Sequence, residues 1–165
     1  MERRLIISNT TPLINFAEIG RMEVLKGLFE TITIPPAVVK ELDDKEALFS
    51  KACEVPLHSC IVTKAPEDHL LVRGYAGRVH PGEAECLALA MEHPGSLLLL
   101  DDLAARDLAA SNRLLFTGTL GCLIRARRQN LIPAVRPLLQ DLRSLSRFWI
   151  STELEDRVLR EVGEL

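Results

Sequence analysis

Short apolar runs alternate along this chain with longer stretches of helical spacing. Leu5–Ser8 reads as a first strand buried on both faces. Thr11 followed by Pro12 predicts a helix start, an N-cap residue with proline at the first helical position. Leu13, Phe16 and Ala17, then a break at Gly20, then Met22, Leu25 and Leu28 predict two short helices. Thr31–Ile34 is a second strand, and Pro35 and Pro36 open the helix "AVVKELDDKEAL". Residues 53–79, broken by Pro56, Pro66, Gly74 and Gly77, are the least regular part, with a strand candidate at Ser59–Thr63. "HPGEAECLALAME" is a strong helix, "GSLLLLDD" a turn and buried strand ending in two acids, and "LAARDLAAS" helical again. Leu114–Phe116 is a short strand, and "TGTLGCLIRARRQN" a turn and helix. The pattern continues with a helix over "PAVRPLLQDLRSL" despite Pro137, a late strand "RFWIS", and a final helix "TELEDRVLREVG" with Thr152 and Glu155 as its capping box. Strands separated by helices predict an α/β fold, a mostly parallel sheet with helices on both faces.

Composition narrows this picture little. The chain has 165 residues, 47% apolar and 26% charged, which suits one soluble domain with a real core over 1–165. Its uninterrupted apolar runs, Leu97–Leu100 among them, are far short of a membrane span, so no membrane partner is expected. The basic start "MERRLIISNT" has an apolar run of only Leu5–Ile7, too short for a signal-peptide core, and a cytoplasmic location is the expectation. Cys53, Cys60, Cys86 and Cys122 form no C-x-x-C pair and no zinc spacing; Cys86 and Cys122 read as small core residues. Charge is more informative. Residues 1–110 carry 11 basic and 17 acidic side chains, whereas residues 111–150 carry seven arginines against one acid. A basic segment in an otherwise acidic protein suits either phosphates or acidic neighbours in space.

In a parallel α/β sheet, sites form beyond the C-terminal ends of the strands. Asn9 lies there, after the first strand, and so do Asp101 and Asp102, after "LLLL". Two acids at the exit of a buried strand are costly unless paired, solvated or bound to a cation. Glu41 follows Val38 and Ala37 by three and four residues and borders the inward face of its helix. Glu83 and Glu85 open a helix apolar on nearly every side, so at least one of them faces protein. Each has an ordinary alternative as a helix cap, a first-turn acid or a surface residue. Together, Asn9, Glu41, Glu83 or Glu85, and Asp101 or Asp102 bring oxygen ligands to one edge without histidine or cysteine, a set that suits Mg²⁺ or Mn²⁺.

The order of "IISNTTPLINFAEIG", "ITIPPAVVKEL", "PGEAECLALA", "LLLLDDLAARDLAA", "TGTLGCLIRARRQNLI" and "FWISTEL" resembles the PIN-domain family of metal-dependent ribonucleases, and more narrowly VapC-like toxins. The resemblance covers most of the chain outside about 45–78. It implies a three-layer α/β/α sandwich, a Mg²⁺- or Mn²⁺-dependent endoribonuclease, RNA as substrate, a homodimer and a possible antitoxin partner. Its acids fall on Asn9, Glu41, Glu83 and Asp102, with Glu85 and Asp101 as alternatives in register. Where the family most typically has Asp, this chain has Asn9, an amide oxygen that still ligates a cation but carries no charge. A second reading follows from that residue: a catalytically weakened module that binds nucleic acid or protein. Thr10 at the first turn, Thr117 and Thr119 around Gly118, and Arg125, Arg127 and Arg128 on the next helix are the candidates for phosphate contacts, each with a plain capping or surface alternative. Aromatic residues are few, so base-stacking platforms are expected to be sparse.

Overall fold

The computed structural model describes residues 3–165. Five strands of three residues each form one all-parallel sheet: β1 (Ile6–Ser8), β2 (Ile32–Ile34), β3 (Ile61–Thr63), β4 (Leu97–Leu99) and β5 (Leu115–Thr117), in the spatial order β3-β2-β1-β4-β5. Helices cover both faces, giving the expected α/β/α sandwich. The three central strands are wholly buried, which is why they read as continuous apolar runs rather than alternating ones.

The strand order creates the site. From β1 the chain moves outward to β2 and β3, then returns to pair β4 with the other side of β1. The segments leaving β1 and β4 therefore part in opposite directions, opening a crevice beyond their C-terminal ends. α1 (Thr10–Glu18) leaves β1, and α6 (Leu103–Ser111) leaves β4. α3 (Pro36–Asp44), after β2, and the N-terminus of α5 (Pro81–Glu92) flank the crevice on one side. α7 (Thr119–Arg128), after β5, closes the other.

The remaining elements complete the layers. α2 (Met22–Phe29) follows a turn at Gly20, whose φ of +67° is the left-handed geometry that glycine permits. The irregular middle resolves into a 3₁₀ turn at Ala52–Leu57, β3, and α4 (His69–Tyr75), which packs on α5. α8 (Arg136–Leu145) and α9 (Thr152–Glu161) finish the chain. The core cysteines are as expected: Cys86 and Cys122 are buried, and burial pushes the Cys122 thiol up to about 12.

Four local expectations are corrected. The first helix starts at Thr10 with Asn9, not Thr11, at its N-cap. α8 starts at Arg136, because Pro137 is tolerated only in a first turn. "RFWIS" forms no strand: Arg147 adopts φ +59° at the end of α8, and Ser151 already caps α9 by accepting from the Leu154 N–H. Only Phe148, Trp149 and Ile150 separate these two turns, and none of them pairs with the sheet. Ser151 also takes the capping place expected of Thr152.

Candidate functional site

Asn9 marks the centre of the crevice. At an N-cap, an asparagine oxygen ordinarily accepts from the first turn of its own helix. Here it does not: the side chain makes no cap bond, and its Nδ2 donates to Glu83 Oε1 at 3.2 Å. The Asn9 Oδ1 is buried and has no donor among the described residues. Turning the amide over would set two oxygens against each other, so the unpartnered atom is the oxygen. An unpaired buried acceptor costs about 1–3 kcal/mol. Among the described residues it is the one buried side-chain oxygen of the crevice without a hydrogen-bond partner.

Glu83 sits in the first turn of α5, only 5% exposed, and its Oε2 accepts from the His80 N–H at 2.8 Å. Burial pushes its carboxyl above the usual range, against the His80 hydrogen bond, and the negative charges of Asp102 and Glu41 add to the rise. Glu41 is held from two elements: Thr10 Oγ1 donates to its Oε2 at 2.6 Å, and the Gly82 N–H donates to its Oε1 at 2.9 Å. A Cβ at position 82 would come within 2.7 Å of the Glu41 carboxylate, so "PGE" needs its glycine for this seat. Asp102 is exposed and caps α6, its Oδ2 accepting from the Ala105 N–H at 2.9 Å. Asn9, Thr10, Glu41, Glu83, Asp101 and Asp102 line one open cleft of about 660 Å³, with Lys40, Lys45 and His80 beside them.

The two register alternatives do other work. Glu85 Oε2 accepts from the Ala37 N–H at 2.9 Å, supplying the cap that Pro35 cannot give α3, and it does not line the cleft. Asp101 is the hub of a buried knot. Its Oδ1 accepts from the Thr119 N–H at 2.9 Å, and its Oδ2 from the Thr119 hydroxyl at 2.5 Å. Asn15 Nδ2 reaches Thr119 Oγ1 at 3.0 Å, and its Oδ1 accepts from the Ser146 hydroxyl at 2.9 Å. The Arg106 guanidinium lies 3.9 Å from Asp101 and donates through Nε to the Leu100 carbonyl at 2.7 Å. Burial raises the Asp101 carboxyl too, but the Thr119 and Arg106 donors all oppose the rise.

The candidates for phosphate contact are scattered. Thr119 is wholly buried, with both its donors on Asp101. Thr117 is half-buried at the end of β5 and lines a second groove beside the cleft. Arg125 lies 5.8 Å over the Phe29 ring, Arg127 is 3.8 Å from Glu164, and Arg128 donates to Glu161 at 2.7 Å. None of the three lines the cleft. The charge asymmetry of the sequence is thus partly absorbed by Glu161 at the end of α9 and by Glu164 beyond it. Gly82, Asn15, Ser146 and Arg106 escaped the sequence reading. Asn15 alone carried a signal, as an amide inside the apolar stretch "LINFA".

In kind, the oxygen donors of the cleft and the unpartnered Asn9 Oδ1 fit a hard divalent cation. In this conformation the carboxylates lie on N–H and O–H donors, and no three His, Cys, Asp or Glu side chains gather closely enough for a metal among the described residues. No helix among those residues is long and apolar enough to cross a membrane. No curated protein matches the chain. A PIN-domain family model matches residues 5–164, nearly the whole length, and the parallel sheet flanked by helices is consistent with it. The chain therefore belongs to the PIN-domain family, and its fold is of the nuclease type.

Proposed function

We propose that this protein is a Mg²⁺- or Mn²⁺-dependent endoribonuclease acting in the cleft at the β1–β4 switch. The single observation that carries the reading is the buried Asn9 oxygen with no donor, bonded through the same amide to a glutamate whose neighbours are two more acids. A site of this kind is unfavourable by itself and is relieved by a positive partner. PIN domains generally use divalent metals, in keeping with this. Glu41, Glu83 and Asp102, with Asn9 Oδ1, are the residues that would hold the ion; Asp101 and Glu85 are left out, since other donors occupy them. When bound, the ion supplies a water of lowered pKa and offsets charge on the phosphate.

The chain's own residues do the rest. Glu83, held between the Asn9 amide and the His80 N–H at the floor of the cleft, is the carboxylate that would take the proton of the attacking water. The water oxygen forms a bond to phosphorus, the bond from phosphorus to the leaving oxygen breaks, and that oxygen takes a proton from solvent in the open cleft while Glu83 returns its own to solvent. Thr10 and the Gly82 N–H fix the Glu41 carboxylate so that it need not reorganise during the reaction. Lys40 and Lys45 at the rim are placed to meet the entering phosphates. By resemblance to VapC-like toxins, the proposal extends to the toxin of a toxin–antitoxin pair, a homodimer silenced by an antitoxin over the cleft.

The second reading, a binding module with a weakened site, is favoured by the missing charge at Asn9 and by the hydrogen bonds already holding the carboxylates. One experiment separates the two: labelled single-stranded RNAs with Mn²⁺, Mg²⁺ or chelator at low salt, using wild type, Glu83→Gln and Asn9→Asp. Metal-dependent cleavage by wild type that is lost in Glu83→Gln supports the nuclease. Cleavage by Asn9→Asp alone supports the binding module, and no cleavage by any of the three contradicts the nuclease.

A further inference from the structure

We infer that the groove beside the cleft, around Trp149, is a binding subsite for single-stranded RNA. The inference rests on the nuclease reading for its occupant. The groove encloses about 520 Å³ between α7, α9 and the link from α8 to α9, and shares Asp101 and Phe148 with the catalytic cleft. A strand lying across the cleft therefore reaches the groove past Asp101 and Phe148.

Trp149 is the only tryptophan of the chain and is 82% exposed, the most water-facing large ring in the fold. Leaving an indole in water forfeits one of the largest burial gains a side chain offers. Its position is held: Arg147 turns the backbone at φ +59°, Phe148 is half-buried, and Ile150 is anchored in the core. An exposed π-face on a backbone anchored on both sides suits a nucleobase, which stacks without regard to sequence.

Charge favours the same occupant. Arg157 lines the groove, is exposed, and pairs with no carboxylate among the described residues. Arg147 stands two residues before the indole, and Arg106 lies on the groove wall against the Phe116 ring at 5.6 Å. The two acids of the groove are already matched, Asp101 by Thr119 and Arg106, and Glu161 by Arg128. What remains is an aromatic surface with free positive charge, the combination that holds single strands.

The test uses indole emission, which reports on this groove alone because no second tryptophan exists. An unlabelled mixed-sequence RNA of about ten nucleotides, a length within the usual range for such grooves, is titrated into the full chain in chelator at low salt. Expected is saturable quenching. In a gel-shift assay Trp149→Ala should bind about 5- to 100-fold more weakly, with Trp149→Phe in between. Arg157→Gln should weaken binding and lower the slope of log affinity against log salt by about 0.7. Unchanged emission under saturating RNA, or a Trp149→Ala chain that binds as wild type does, overturns the inference and leaves the indole to a protein partner. Quenching without any metal-dependent cleavage leaves the inference standing while the nuclease reading falls. Cleavage with no quenching does the reverse.

Discussion

Glu83, buried, and Asp101, largely buried, are two acids at the same edge of one sheet, and their surroundings are opposite. Asp101 is ringed by donors: the Thr119 N–H and hydroxyl on its two oxygens, Arg106 beside it, and Asn15 and Ser146 continuing the chain of bonds. Glu83 has one strong donor, the His80 N–H, and an amide that is itself half satisfied, while Glu41 and Asp102 add negative charge. Burial raises both carboxyls. The difference lies in what remains unmet. The Asp101 knot is complete and ties α1, α7 and α8 under the cleft, whereas the Glu83 side retains an oxygen without a partner and a surplus of negative charge. Burial alone thus does not distinguish a structural acid from a reactive one; the balance of donors and acids around it does.

Substitutions should divide the two sides. The largest expected effect is on turnover: Glu83→Gln should lower metal-dependent RNA cleavage by about 10²-fold or more, measured as initial rates with saturating Mn²⁺. Next, Asp101→Asn should destabilise the fold by about 1–3 kcal/mol in urea unfolding, because a carboxamide presents hydrogens to a set of donors. Thr10→Val should reduce cleavage or Mn²⁺ affinity about 10- to 100-fold by releasing Glu41, with little change in stability. The smallest effect is expected at Arg128→Gln, where an exposed ion pair contributes at most about 1 kcal/mol, read as a shift in urea midpoint.

The same comparison predicts a pH dependence. Folding raises the proton affinity of Glu83, so the folded state favours its neutral form. Below the ordinary value of 4.5 the side chain is neutral folded or unfolded and costs nothing; as pH rises through the higher folded value, that stability is lost. Glu83→Gln removes the charge. It also lets the Asn9 amide turn, so that its oxygen accepts from the new carboxamide. The variant should therefore be more stable than wild type at neutral pH, with the advantage vanishing toward pH 4.5, in thermal melts without metal.

Much of this was legible in the chain. The buried strands announced themselves as apolar runs, and the acids that end or open the neighbouring elements pointed to one edge. The identity of each acid was not legible, because neighbours in sequence have opposite surroundings. Asp101 turns into the Thr119 knot while Asp102 caps α6, and Glu83 turns to Asn9 while Glu85 caps α3. All but that of Asp102 depend on partners from 18 to 74 residues away. "RFWIS" misled because its alternation is genuine in exposure, with Phe148 half-buried, Trp149 exposed and Ile150 buried, but it links two helices and does not pair with the sheet.

The most direct test of the contrast is a thermal melt at neutral pH of wild type, Glu83→Gln and Asp101→Asn, with and without Mn²⁺. Without the ion, Glu83→Gln should melt above wild type and Asp101→Asn below it. With the ion, wild type should rise, as a protein does when a ligand binds its folded form, and Glu83→Gln should not. A Glu83→Gln chain that melts below wild type, or gains as much from Mn²⁺ as wild type does, would contradict the account.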